Sequence, residues 1–310
     1  MQPQPEWKPR HSPWLIAMGV MMATFMEVLD TSIANIALPH IAGSLSATPE
    51  GATWVLTSYL VSNAIVLPTT GWLANHFGRK RVFITCIVMF TLSSALCGLA
   101  WSLPTLIFAR ILQGIGGGAM VPIAQSIMLE SFPRQKRGAA MAIFAQGVVV
   151  APILGPTLGG WITDSYSWRW IFYINLPVGI LAILAAQWLV EDPPYIQRNK
   201  SATIDYVGFG LLAVWLATLQ ILLDKGQEAD WFGAVWVRWF ALASILSFAG
   251  FIYWQLKAKH PLVDLSVFKN RNFTIGLILM TTLGAILYGT TAQIPLFLQT
   301  LMGYPALQIA

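Results

Sequence analysis

Nine apolar stretches, at about 14 to 39, 51 to 74, 82 to 101, 104 to 129, 138 to 161, 169 to 189, 204 to 223, 236 to 256 and 272 to 299, run through this chain almost without interruption. Each is near the roughly 20 residues that a helix needs to cross the hydrocarbon core of a bilayer. They alternate too weakly for barrel strands, and with no water to satisfy the backbone in lipid, helices remain as the spanning structure. Hydrophobic residues make up 56% of the sequence and charged residues 10%, which excludes an ordinary water-soluble domain. The expected fold class is an all-α membrane protein with about 9 transmembrane helices.

The formal net charge of +5 could point to nucleic acid, but the placement of the cations argues against it. Lys8 and Arg10, then Arg79, Lys80 and Arg81, then Arg134, Lys136 and Arg137, then Arg198 and Lys200, then Lys257, Lys259, Lys269 and Arg271 occupy alternate turns. That bias sets an orientation with a cytoplasmic amino terminus. Cys86 and Cys97 lie 11 positions apart on one expected helix, too far to pair, and no metal-ligand spacing is present. The tryptophans concentrate where stretches end, as at Trp72, Trp101, Trp161, Trp168 and Trp170, which fits an interfacial belt. The first stretch is too long for a signal-peptide core and reads as a retained anchor.

Two acids, Glu27 and Asp30, stand inside the first stretch with no basic residue beside them. A charge near the centre of a membrane helix costs about 2.5–3.5 kcal/mol on insertion scales, so acids there mark a function by default. Thr24, Glu27, Thr31 and Asn35 follow helical spacing and form a polar stripe with Asp30 beside it. Arg110 in the fourth stretch either finds an intramembrane partner or snorkels from the nearby helix end. After it come Gln113 and then Gly114, Gly116, Gly117 and Gly118, small residues that read as a packing face. In the fifth stretch Gly155, Pro156, Gly159 and Gly160 combine small-residue crossings with a proline, which suits either a sliding interface or a static groove. Gly71 to Arg81 forms a short Gly-bounded turn with three cations. Asp205 reads as a helix-start charge, and Glu130 and Asp164 as interfacial groups.

Taken together these segments resemble the major facilitator superfamily, in particular its fourteen-helix drug:proton antiporters of the EmrB/QacA type. Leu29 to Pro39 is similar to that subfamily's first-helix motif, Arg110 to Gly114 to its fourth-helix motif, and Gly155 to Gly160 to its fifth-helix antiporter motif. Gly71, Gly78 and Arg79 match the loop between helices two and three, but Asn75 stands where the family has an acid. Asp230-Trp231-Phe232 and Pro261 to Phe268 resemble the EmrB branch. The resemblance implies a proton-driven inner-membrane exporter of hydrophobic or amphipathic toxic compounds and not an enzyme. It needs no cofactor, being driven by the proton gradient, and works with a periplasmic adaptor and an outer-membrane channel. Asp30 is then the expected proton carrier, Glu27 a second acid or a cation site, and Arg110 the group that biases Asp30. Thr31, Asn35, Gln113 and Gln146 are the expected lining of a substrate cavity. The expected organisation is a tail at 1–13, a six-helix bundle at 14–190, a cytoplasmic linker at 191–203, two extra helices at 204–257 and the start of a second bundle at 258–310. Because the superfamily places its cavity between two halves, residues 1–310 are expected to be part of a longer transporter and not to transport alone. An exporter of one specific metabolite or a proton symporter for uptake on the same scaffold, and a non-transporting membrane sensor, are the rival readings.

Overall fold

The computed structural model describes residues 9–193, 205–259 and 261–300, those beyond 286 as backbone, and among them every regular element is helical. In chain order these are α1 (Pro13–Ser44), α2 (Pro49–Val66), α3 (Thr70–Phe77), α4 (Arg79–Leu99), α5 (Leu103–Gly117), α6 (Met120–Ser131), α7 (Arg137–Ser165), α8 (Trp170–Tyr173), α9 (Asn175–Leu189), α10 (Tyr206–Lys225), α11 (Val235–Lys257) and α12 (Arg271–Thr300). The second, fourth and sixth apolar stretches are each broken in two. A 3-10 turn at Leu67–Thr69 separates α2 from α3, Gly118 and Ala119 separate α5 from α6, and Ile174 separates α8 from α9.

Among the described residues seven helices, with α5 and α6 taken as one and α8 with α9 as one, are long and apolar enough to cross a membrane, against nine expected. α2 drops out because 18 residues that include Glu50, Thr53, Thr57, Ser58, Ser62 and Asn63 are too polar on average. The ninth stretch counts only as a shorter apolar helix over the residues whose side chains are described. Most of the expected linker at 191–203, and the end of the expected second bundle at 301–310, lie outside the described residues.

α1 to α9 form one bundle around α1, which packs on α7, α9, α6 and α2, while α5 lies between α2 and α4. The buried residues fall into two apolar clusters. One is built around Val20, Phe83, Ile87, Phe90 and Met120, the other around Ile33, Ile41, Val55, Leu106 and Phe172. The turn between α3 and α4 meets the ends of α6 and α9 at one end of the bundle. There Arg79 pairs with Glu130 at the end of α6, the Lys80 ammonium donates to the Gln187 carbonyl at 2.6 Å, and the Lys80 backbone N–H donates to Asp192 at 2.9 Å. Gly78, at φ 91°, turns the chain from α3 into α4 in a conformation that favours glycine.

The start of α10 behaves as its sequence suggests. Asp205 accepts from the Gly208 N–H at 2.8 Å, the Trp254 indole at 2.7 Å and the Gln255 amide at 2.9 Å, tying α10 to α11. Partial burial works against its charge, yet the bonds from Gly208, Trp254 and Gln255 outweigh it and hold the carboxyl below the usual carboxylate range. A carboxyl lowered in this way adds stability above its unfolded-state pKa, and that contribution disappears as pH falls through the folded value. Asp205→Ala is expected to cost about 1 kcal/mol of local stability, as for other lost caps. Faster hydrogen exchange at the Gly208 and Phe209 amides is the readout, and unchanged protection would contradict it.

Candidate functional site: a polar cluster inside the bundle

The intramembrane acids and the arginine meet. Arg110 has none of its surface exposed and Asp30 2%, which rules out an arginine that snorkels from the helix end. The guanidinium donates to Asp30 Oδ2 at 2.5 Å, to the Gln113 carbonyl at 2.7 Å and to the Val55 backbone carbonyl at 3.1 Å. Its face lies 4.4 Å from the centre of the Tyr59 ring and 5.6 Å from that of Phe172. Asp30 Oδ1 accepts from the Asn175 amide at 2.6 Å and the Gln113 amide at 3.1 Å. Asn175 in turn donates to the Ser94 hydroxyl at 3.0 Å, and Ser94 to the Phe172 carbonyl at 2.9 Å. The Cys97 thiol donates to the Gln113 carbonyl at 3.4 Å. Both Asp30 oxygens are therefore satisfied by short bonds, one of them charge-assisted, the arrangement that makes an ion pair tolerable away from water.

Glu27 sits one turn earlier on α1 and is 7% exposed. Its Oε1 accepts from the Asn63 amide at 3.1 Å and more weakly from the Tyr59 hydroxyl at 3.5 Å, while Oε2 is buried with no hydrogen-bond partner. Of the residues read from the sequence, Asp30, Arg110 and Gln113 are thus in direct contact, and Glu27 adjoins them through Tyr59. Ser94, Asn63, Tyr59 and Asn175 were not singled out in the sequence; Asn63 and Asn175, polar amides inside apolar stretches, are the signal that could have found two of them.

The rest of the polar stripe does not join the cluster. Thr24 and Thr31 hydrogen-bond back to their own helix, at the Met21 and Val28 carbonyls, and Asn35 and Gln146 lie on exposed faces of α1 and α7. Glycine positions divide just as clearly. A methyl on Gly155 would collide with the Ser32 side chain, and one on Gly159 would lie 3.3 Å from Ile33 Cα, so α7 crosses α1 in close approach there. Pro156 has no N–H to offer the Pro152 carbonyl, and the Ser32 hydroxyl fills that place at 3.1 Å. Pro156 itself is half-buried, and Gly160 and Gly71 face open space. Gly155→Ala is expected to lower stability by about 1–3 kcal/mol through overpacking, and Gly160→Ala to stay within about 0.5 kcal/mol. Thermal unfolding in detergent compares the two, and equal midpoints would show that the crossing has slack. In the loop match, Gly78 and Arg79 are placed as described above and Asn75 is exposed, so the partner of Arg79 comes from α6 as Glu130. Cys86 and Cys97 are both free.

The sequence profile of the Major Facilitator Superfamily matches residues 20–310. The chain belongs to this superfamily. It is 44% identical over 294 residues to the fatty acid resistance protein FarB of Neisseria gonorrhoeae, an alignment covering 93% of this chain and 57% of that protein. It is 40% identical over 292 residues to the multidrug export protein EmrB of Escherichia coli, covering 94% of this chain and 57% of that one. The chain therefore spans little more than half the length of these relatives. Among solved structures it is similar in fold to a D-xylose–proton symporter, with a TM-score of 0.51 and 16% identity over 79% of this chain and 68% of the other. It is also similar to the POT family transporter PepTSo, at 0.56 and 15% over 80% and 52%. The described helices thus form the bundle of a multi-pass membrane protein of this superfamily.

Proposed function

We propose that this chain belongs to a proton-coupled exporter of hydrophobic or amphipathic toxic compounds, set in the inner membrane with a cytoplasmic amino terminus. The observation that carries the reading is the fully buried Asp30–Arg110 pair, locked by Gln113 and Asn175 at the meeting of α1, α5 and α9. A membrane bundle has little structural reason to hold an ion pair there, and intramembrane ionisable groups line proton and substrate routes in carriers. The names of FarB and EmrB support efflux and an apolar or amphipathic cargo. The seating of Arg79 and Lys80 at the ends of α6 and α9 supports the orientation.

On this reading residues 14–190 are the first six-helix unit, 191–203 a linker, 204–257 two additional membrane helices and 258–310 the start of a second unit. Glu27, Asp30 and Arg110 couple proton movement to transport. Asn35 and Gln146 contact substrate from exposed faces and Thr31 from a half-buried one, whereas Gln113 is committed to holding the ion pair. The Gly155–Pro156 crossing, with Gly159 and Gly160, is where α7 shifts against α1. Partnership with a periplasmic adaptor and an outer-membrane channel rests on the family resemblance.

The test is transport by the full-length protein in vesicles with an imposed proton gradient, using ethidium and a long-chain fatty acid as probes. Gradient-dependent movement of at least one, abolished when the gradient is collapsed, is expected. Movement indifferent to the gradient, or none of either probe, would remove the proton-coupled exporter reading.

A further inference from the structure

The two acids of α1 lie one turn apart in the same bundle, yet their surroundings differ in kind. Asp30 is met by one cation and two amide donors, with both oxygens occupied, so the ionised carboxylate is the form this cage is built to hold. Taking a proton onto Asp30 would break a bond to Arg110 and leave a buried guanidinium without its counterion. Glu27 has the opposite setting. Among the described residues no ion pair reaches it, its Oε1 is held by two neutral groups, and its Oε2 is buried and without a partner. A bare carboxylate oxygen in that position is the expensive form, and a carboxylic acid is the affordable one.

Gly117 lies so close that a methyl there would sit 3.1 Å from Glu27 Oε1. The helical run of the fourth span breaks immediately afterwards, at Gly118 and Ala119, between α5 and α6. Gly117 belongs to α5, the helix on which Arg110 is anchored two turns earlier. The titratable and charged groups facing Glu27 are Asp30 on its own helix, Tyr59 on α2, Cys86 on α4 and, beyond the Tyr59 ring, Arg110 on α5. None of them is a cation bonded to it.

We propose that Glu27 is the carboxyl that exchanges the transported proton, while Asp30 stays ionised as the fixed counterion of Arg110. The step is a simple proton transfer. The O–H bond on Oε2 breaks and its proton passes to water on the cytoplasmic side, and the resulting carboxylate is reprotonated from water on the other side. Asn63 and Tyr59 hold Oε1 in both states and act as positioning residues. The inference rests on the proton-coupled reading above, but its decisive test does not require transport.

Infrared spectroscopy of the full-length protein in detergent at neutral pH reports protonated carboxyl groups directly. The wild type is expected to show a protonated-carboxyl C=O band that is absent from Glu27→Gln. Should Glu27→Gln fail to fold, Glu27→Asp is expected to keep a band at a shifted frequency. No band in the wild type, or a band unchanged by either substitution, would overturn the proposal; the first result would leave Glu27 ionised and suited to a cationic ligand instead. In vesicles, Glu27→Gln is expected to lose gradient-driven ethidium efflux. Intact gradient-driven efflux in that variant would also overturn it. A wild type that moves no ethidium would instead count against the exporter reading, with the infrared result still deciding the state of Glu27.

Discussion

Asp30→Ala, made with Arg110 in place, is expected to destabilise the bundle by about 3–5 kcal/mol, the range for stranding one member of a buried ion pair. The size follows from geometry. Arg110 has no exposed surface and cannot reach water, and its remaining acceptors are the Gln113 and Val55 carbonyls. The change also strips Asn175 and Gln113 of the acceptor that orients them. Thermal or denaturant unfolding in detergent measures the loss. The informative comparison is with the double variant Asp30→Leu, Arg110→Met, which removes both charges and replaces them with apolar volume. It should recover much of the stability, because a buried ion pair contributes less than its rupture costs. If the two substitutions simply add, the pair is not the unit described here.

The second large effect is expected on α5, which is wedged between two helices at two glycines on opposite faces. A methyl on Gly114 would collide with the Ser62 hydroxyl and the Tyr59 carbonyl of α2, and one on Gly116 would lie 2.7 Å from the Phe90 backbone nitrogen and 3.0 Å from Met89 Cβ on α4. Backbone atoms cannot rotate away as a side-chain end can, so the helices must part. Alanine at either position is therefore expected to cost about 3 kcal/mol, the upper part of the overpacking range, even though alanine is the better helix former by about 1 kcal/mol. Because α5 carries Arg110 and Gln113, the same displacement pulls the guanidinium from Asp30. Gly138→Ala, at a position with nothing within 4 Å, is the control. Matching unfolding midpoints for Gly114→Ala and Gly138→Ala would show that α5 is not wedged.

What could be read in the sequence was what hydropathy and short-range spacing encode. The helical class, the intramembrane status of Glu27 and Asp30 and the small-residue faces of α5 and α7 need only a run of residues and a period. The pairing of Arg110 with Asp30 spans 80 positions, and Asn175 reaches Asp30 across 145. Such contacts depend on how helices are arranged, which no local pattern specifies. Periodicity also misled where a helix is long. Thr24 and Glu27 are buried but Asn35, on the same nominal stripe, is exposed, because the 32-residue α1 changes neighbours along its length. The polarity of α2 belongs to the same lesson. Its Tyr59 and Asn63, polar groups inside an apolar stretch, are the groups that hold Glu27.

At the end of the bundle opposite the cations, Asp224 of α10 hydrogen-bonds Thr57 of α2. Lys225, which is buried, reaches the Glu50 carbonyl at 2.7 Å as well as Thr53, and lies over the Trp54 ring. α10 is in turn stapled to α11 through Asp205 at the far end. The α10–α11 hairpin is thus rigged to the outer flank of α2 like an outboard float. Any tilt of the first bundle in the membrane therefore carries the hairpin with it, and the Val263 N–H, donating to the Gln255 side-chain carbonyl at 3.1 Å, extends the same linkage past the end of α11.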